Sequence, residues 1–301
     1  MRRRHIVWLV IGVTAVSTSA VLIRGADDLG VSSLAIAFYR CALASVALVP
    51  LAWVRHREEL RALPFRRRWL LVASGAALGL HFATWISSLS YTSVAASTVL
   101  VQTMPIWVAL AGPFTGERTS RRGWLGIAIA TTGAVVIATA TGGTGGLDPL
   151  LGDLLAIAGA IFAAAYVLIG RHVRADLSLV SYSASVYAVA SLFLAAAMLV
   201  TGAPFLGYPS EVWVLFAAMT IGPQFLGHTV INHLLGELKA SIVSVALLAE
   251  AVGATILAFL VYGERPGPQV IVGGAIVLAG VAVTVLAEAD RRPEILAMPE
   301  E

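Results

Sequence analysis

Apolar residues run along this chain in ten blocks of about 20, separated by short polar breaks: 5–23, 33–53, 69–89, 93–115, 123–141, 151–169, 180–200, 211–231, 240–262 and 269–287. A helix needs roughly 20 apolar residues to cross a hydrocarbon core about 30 Å thick, so each block predicts one membrane-spanning helix. Strict alternation of polar and apolar positions is scarce, which argues against a β-barrel. Within lipid every backbone amide must then bond inside its own helix. The expected fold is an all-α polytopic membrane protein with ten transmembrane helices.

The blocks form two sets of five. Slid by 147 positions, Gly116-Glu117-Arg118 lands on Gly263-Glu264-Arg265. Without a gap, His81 then falls on His228, Ser97 on Ser244, Gly126 on Gly273 and Gly133 on Gly280. Because each copy has an odd number of spans, the second enters the membrane from the opposite face. The expectation is two inverted five-helix repeats related by an axis in the membrane plane, with a site held between them. The units read as 1–141 and 151–288, joined by an extracytoplasmic linker at 142–150 and followed by a cytoplasmic tail at 289–301. The linker's Gly142-Gly143-Thr144-Gly145-Gly146 run is turn-forming and flexible by composition.

Composition sharpens the class. The chain is 58% hydrophobic and 12% charged, with mean hydropathy +0.88, too little charge to cover a water-soluble domain of 301 residues. Counting loops from a cytoplasmic N-terminus, the inward set holds Arg2, Arg3, Arg4, Arg55, Arg57, Arg61, Arg66, Arg67, Arg68, Arg118, Arg121, Arg122, Arg171, Arg174, Lys239, Arg291 and Arg292. The outward set holds Arg24 and Arg265, and Arg40 lies inside a span. Seventeen against two fits the positive-inside rule and puts both termini in the cytoplasm, for an even span count. The pI near 9.3 comes from this asymmetry and says nothing for nucleic acid as a partner. Arg2-Arg3-Arg4 before an apolar run also fits a cleavable signal peptide, but its removal would invert the charge balance. Cys41, the single cysteine, offers no disulfide framework and reads as a small buried residue.

Several stretches carry a family likeness. Pro105-Ile106-Trp107-Val108-Ala109-Leu110 leads to Gly116-Glu117-Arg118, and Leu248-Ala249-Glu250-Ala251-Val252 leads to Gly263-Glu264-Arg265. With Phe38-Tyr39-Arg40 and the glycine-spaced fifth and tenth spans, the chain resembles the EamA-type branch of the drug/metabolite transporter superfamily over nearly its whole length. The resemblance implies a cavity lined by spans 1–4 and 6–9, with spans 5 and 10 as peripheral supports. It is similar in length and layout to YddG-like exporters of aromatic and other amino acids. One departure stands out: the ninth span commonly reads Leu-Glu-Pro in this family, and here Ala251 replaces the proline, removing the usual cause of a kink.

Polar side chains within the blocks are the candidates for a pathway, because each needs a partner or water. His81, Trp85 and Ser88 share one face of the third span; Gln224, His228 and Asn232 share one face of the eighth. The two histidines are repeat mates, expected on opposite sides of one central space; the plainer alternative is helix-to-helix hydrogen bonding. Glu250, in the middle of the ninth span, either contacts substrate, carries a proton or bonds a neighbouring helix. Arg40 lies about 10 Å deep and reads as structural, within reach of Glu250. Gln102 precedes Pro105, which permits a bend. Glu117 and Glu264 sit at helix ends beside arginines that can meet the last carbonyls, so the tripeptide reads as a topological cap.

Among the interior aromatics Trp85, Trp107, Tyr166, Tyr182 and Tyr187, rings can stack on an aromatic or apolar amino acid or a cation, or simply fill the core. Thr14, Ser17 and Thr18 add small hydroxyls. No arginine cluster suits a sugar phosphate. No HExxH, paired intramembrane aspartate or serine–histidine motif suggests an enzyme, and two lone histidines are a weak metal signal, so neither cofactor nor metal is expected.

The expected substrate-binding set is His81, Trp85, Gln102, Trp107, Tyr166, Gln224, His228 and Glu250, with Arg40, Pro105, Glu117 and Glu264 in structural or coupling roles. The expected function is alternating-access export of amino acids or related small metabolites from the bacterial inner membrane. The alternatives are export of amphiphilic drugs on the same fold, or a non-transporting membrane scaffold. Expected partners are a small-molecule substrate and the lipid bilayer, with the chain a monomer or weak homodimer. The glycine faces of the fifth and tenth spans are free to pack helix to helix.

Overall fold

A computed structural model describes residues 3–92, 94–141, 148–263 and 265–289. Most of the linker, residues 142–147, the tail from 290, and Glu264 lie outside the described residues. The described chain is helical, with no strand in it. The helices are α1 (Arg3–Asp27), α2 (Ser33–Ala62), α3 (Phe65–Ser88), α4 (Val94–Val101), α5 (Met104–Ala111), α6 (Arg121–Thr141), α7 (Pro149–Arg174), α8 (Leu179–Thr201), α9 (Ser210–Met219), α10 (Val230–Leu235), α11 (Ala240–Leu247), α12 (Glu250–Tyr262) and α13 (Pro268–Ala289). A 3₁₀ turn (Gly112–Thr115) follows α5, and a π-helix (Thr220–Thr229) joins α9 to α10.

Among the described residues, nine helical stretches are long and apolar enough to span a bilayer. The fourth expected span is not one of them: it is broken between α4 and α5, leaving only Met104–Thr115 as a shorter apolar helix. Pro105 explains the break, since it has no amide hydrogen and sits in the first turn of α5. Span ends also differ from the apolar blocks. α2 runs past residue 53 to Ala62, kinked at His56, because Arg57–Ala62 are good helix formers and the stop comes only at Leu63, held extended by Pro64.

Local signals set most other ends. The side chains of Ser32, Asp148 and Ser178 accept from Ala35, Leu151 and Ser181 amides at 3.3, 3.1 and 3.2 Å, capping α2, α7 and α8. In the repeated tripeptide it is the glycine that ends the helix: Gly116 and Gly263 both adopt left-handed backbone, φ 82° and 70°.

The main core is shared by α2, α3, α7, α8, α10 and α11 around Leu78, Phe82, Ile86, Val167, Tyr187, Leu194 and Leu234. The close pairs are α6 with α13, α3 with α7, and α2 with α8. α6 and α13 meet backbone to backbone: a Cβ on Gly133 would come within 2.5 Å of Val277 N and 2.7 Å of the Gly273 carbonyl. The glycine faces of these two helices are therefore consumed on each other within one chain, and do not offer a surface to a second copy.

Many of the charged and capping groups gather at one end. Glu237 takes Arg4 at 2.8 Å and His5 at 2.6 Å; Arg67 meets Asp176 at 2.5 Å; Lys239 meets Glu288 at 2.9 Å. Glu59 accepts from the Ser178 amide and hydroxyl and from Ser181, at 2.6, 2.6 and 2.5 Å. Glu117, 8% exposed, accepts Arg171 Nε at 2.9 Å with one oxygen and the Ala240 amide at 2.9 Å with the other. Its contacts serve the N-terminus of α11 rather than the helix that precedes it.

Candidate functional site

Polar groups from both halves of the sequence meet at the core. From α2, Arg40 is 1% exposed; its Nε donates to Gln224 Oε1 at 2.9 Å, and its guanidinium lies 4.4 Å from the Phe82 ring centroid. Burying a cation at membrane depth costs roughly 3 kcal/mol even on the lenient insertion scale, so these two contacts are a partial offset. The Arg40–Glu250 ion pair that reach alone allows is not made: no N···O approach within 4.0 Å joins them among the described residues. Glu250 is half-buried at the start of α12, its backbone carbonyl accepting from Ser17 Oγ of α1 at 3.3 Å.

From α3, His81 Nδ1 donates to the Gly159 carbonyl of α7 at 2.9 Å, and its ring stacks on Trp85 at 5.7 Å and 12°. Gly159 permits this seat: any Cβ there would press on Trp85 Cβ at 3.0 Å. From the π-helix, His228 meets Phe82 edge-on at 5.4 Å and Tyr166 at 6.3 Å. The histidine mates thus border the same phenylalanine, His81 at 5.0 Å and His228 at 5.4 Å.

The π-helix sets where Gln224 and His228 stand. Pro223 lacks an amide hydrogen and crowds the carbonyl four residues back, so the turn widens. The Gln224 carbonyl accepts instead from Thr229 Oγ1 at 3.1 Å and Tyr187 Oη at 3.5 Å. Below it, Asn232 accepts the Tyr166 hydroxyl and donates to Ser183 and Tyr187, each at 3.3 Å.

Six buried side-chain polar atoms among the described residues have no hydrogen-bond partner: Arg40 Nη2, Trp85 Nε1, Gln102 Oε1, Thr131 Oγ1, Gln224 Nε2 and His228 Nδ1. Five belong to the sequence candidates. Folded proteins leave few such groups, because each costs about 1–3 kcal/mol, and an orphan calls for a water, ion or ligand.

Not every candidate joins. Tyr166 has its hydroxyl committed to Asn232, so it braces the cluster. Trp107 donates within its own segment to Thr103 Oγ1 at 3.1 Å, and Pro105 is buried in α5. No ring contact or hydrogen bond of Trp107 reaches the cluster among the described residues. Sequence reasoning missed Phe82, Gly159 and Thr229. Only their neighbours carried a signal, since Phe82 follows His81 and Thr229 follows His228.

The chain matches known proteins along its length. A "probable terminal-alkyne amino-acid exporter" of Streptantibioticus cattleyicolor is 29% identical over 306 residues, covering 98% of each chain. An "uncharacterized transporter" of Archaeoglobus fulgidus is 27% identical over 257 residues, 83% of this chain and 86% of that one. A solved crystal structure superposes with TM-score 0.81 at 19% identity, covering 97% of this chain and 100% of the other, a likeness of fold. The EamA-like transporter family matches twice, over 3–139 and 150–286, which places its second copy 147 residues after its first. A helical, polytopic membrane protein matched in this way over both stretches belongs to the EamA-like transporter family.

Proposed function

We propose that the chain exports amino acids by alternating access, with the Arg40–Gln224–His228 cluster on the substrate path. The observation that carries this reading is the set of unpartnered polar atoms contributed by both family-matched stretches: Arg40, Trp85 and Gln102 from the first, Gln224 and His228 from the second. Groups kept only to tie helices together would spend all their hydrogen bonds on each other; Arg40 and Gln224 share one and each keep a buried donor open, and Trp85, Gln102 and His228 each keep a buried atom open. The family match and the relative named as an amino-acid exporter support the substrate class.

In this reading the two stretches are inverted five-helix units, the fourth of ten spans being the broken α4–α5. The Gly-rich linker lies outside the cell, and the arginine-rich end, with both termini, faces the cytoplasm of a bacterial inner membrane. The breaks support the repeat: Gln102 and Thr103 separate α4 from α5, and Ala249, 147 positions after Gln102, separates α11 from α12. Rocking of the two units about the cluster opens it to each side in turn.

Proteoliposomes loaded with each labelled amino acid test this. Saturable exchange of at least one, absent from empty vesicles, is expected. Exchange of amphiphilic drugs with none of any amino acid overturns the substrate class, and no flux of either kind overturns transport.

A further inference from the structure

We propose that Arg40 and Gln224 form a carboxylate receptor and Glu250 its ammonium counterpart, so that the site recognises the zwitterionic head of an α-amino acid and is permissive toward its side chain. This rests on the exporter reading above.

The repeat isolates the two charges. Shifted by 147 positions, Arg40 corresponds to Tyr187 and Glu250 to Thr103, so each charge appears in one copy only. A duplicated scaffold does not need them. They are of opposite sign, no ion pair within 4.0 Å joins them among the described residues, and α1 links their surroundings: Val16 packs on Gly227 of the π-helix, and the next residue, Ser17, donates to the Glu250 carbonyl at 3.3 Å. Charges left unpaired within membrane spans are costly, and a molecule carrying both complementary charges satisfies both at once.

The free valences have matching polarity. Arg40 Nε and Gln224 Oε1 are locked at 2.9 Å, which leaves Arg40 Nη2 and Gln224 Nε2, two donors on one hydrogen-bonded pair, without acceptors. Arg40 and Gln224 are 1% and 0% exposed, so bulk water does not serve them. A guanidinium and a primary amide side by side suit the two oxygens of a carboxylate. Glu250 supplies acceptors, as an ammonium requires. Phe82 and the stacked His81–Trp85 pair offer rings, which tolerate many side chains and fix none.

Calorimetric binding to the purified full-length chain tests the assignment, using L-alanine, L-leucine and L-phenylalanine, each beside its amide and its N-acetyl derivative. In the native chain the free amino acids are expected to bind at least about tenfold tighter than either derivative. Arg40→Gln is expected to erase the preference over the amide and leave that over the N-acetyl form; Glu250→Gln is expected to do the reverse. Gln224→Leu, which keeps the buried cation, should weaken the first preference alone, and so provides the test if Arg40→Gln does not fold. Amino acids and their amides bound equally by the native chain would overturn the receptor while leaving an exporter intact. No binding by any of the nine, with no amino-acid flux in vesicles, would overturn both.

Discussion

Asn232 shows how one side chain can hold the centre together: it accepts the Tyr166 hydroxyl and donates to Ser183 and Tyr187 at 3.3 Å each, tying α7, α8 and α10. Hydrogen bonds in membrane bundles average about 0.6 kcal/mol, so Asn232→Leu is expected to cost roughly 1–2 kcal/mol. Thermal unfolding in detergent measures it, and an unchanged midpoint would contradict the bracing role. His81, Arg40, Gln102, Gln224 and His228 were legible in the sequence because each is a polar residue in an apolar block, where polarity is expensive. Phe82 and Gly159 were not, since apolar residues among apolar neighbours carry no contrast. Trp107 shows a related gap: composition marks an indole as interior, but not which way its N–H points, and here it turns back to Thr103.

At the scale of elements, the apolar blocks located most helices to within a turn or two, while the irregular turns inside them stayed hidden. The π-helix is one. Pro223 sits inside it, but whether a proline kinks a helix or widens it depends on which neighbours donate to the carbonyls left over, here the Thr229 and Tyr187 hydroxyls to the Gln224 carbonyl. Pro223→Ala should let the turn relax toward α geometry and rotate His228 away from Phe82, lowering transport several-fold with little loss of stability. Full transport by that variant would mean that the wide turn does not set the site. The break before α12 is the second case. No proline stands there, Ala251 having replaced it, and yet α11 ends at Leu247 in tight turns from Leu248 to Val245 and from Ala249 to Ala246, 3.0 and 3.1 Å. Nothing in the local sequence explains it. The glycine faces of α6 and α13 were legible as packing surfaces but not as each other's partner. Gly133→Leu is expected to separate the two helices and abolish stable expression, which fluorescence-detected size exclusion would report.

For the molecule as a whole, the arginine-rich end is a clasp. Arg171 and Glu117 join α7 to the N-terminus of α11, and Lys239 and Glu288 join α11 to α13. Arg4, His5 and Glu237 join α1 to the loop before α11. Breaking a buried pair by removing one partner costs about 3 kcal/mol where, as with Arg171, the partner is partly exposed. Glu117→Ala is therefore expected to destabilise by that amount and to increase labelling of cysteines placed beneath it from the arginine-rich side; unchanged labelling would contradict the clasp. Burial raises the Glu237 carboxyl, but the His5 hydrogen bond and the charges of Arg4 and His233 outweigh it and hold the group below the usual carboxylate range. A depressed acid stabilises the fold above its unfolded pKa and loses that contribution as pH falls through the folded value. Glu237→Gln should thus unfold at lower temperature than the native chain at about pH 7, with the two converging below about pH 4. A constant difference across that range would contradict the assignment.

The most direct measurement is the initial rate of labelled amino-acid exchange in proteoliposomes for Gln102→Ala and His228→Ala, one from each family-matched stretch, beside the native chain at equal protein. Each substitution removes an unpartnered atom and, among the described residues, breaks no side-chain hydrogen bond, so thermal stability should hold while exchange falls by about tenfold or more. Exchange at the native rate in both variants would contradict a substrate path through the polar cluster.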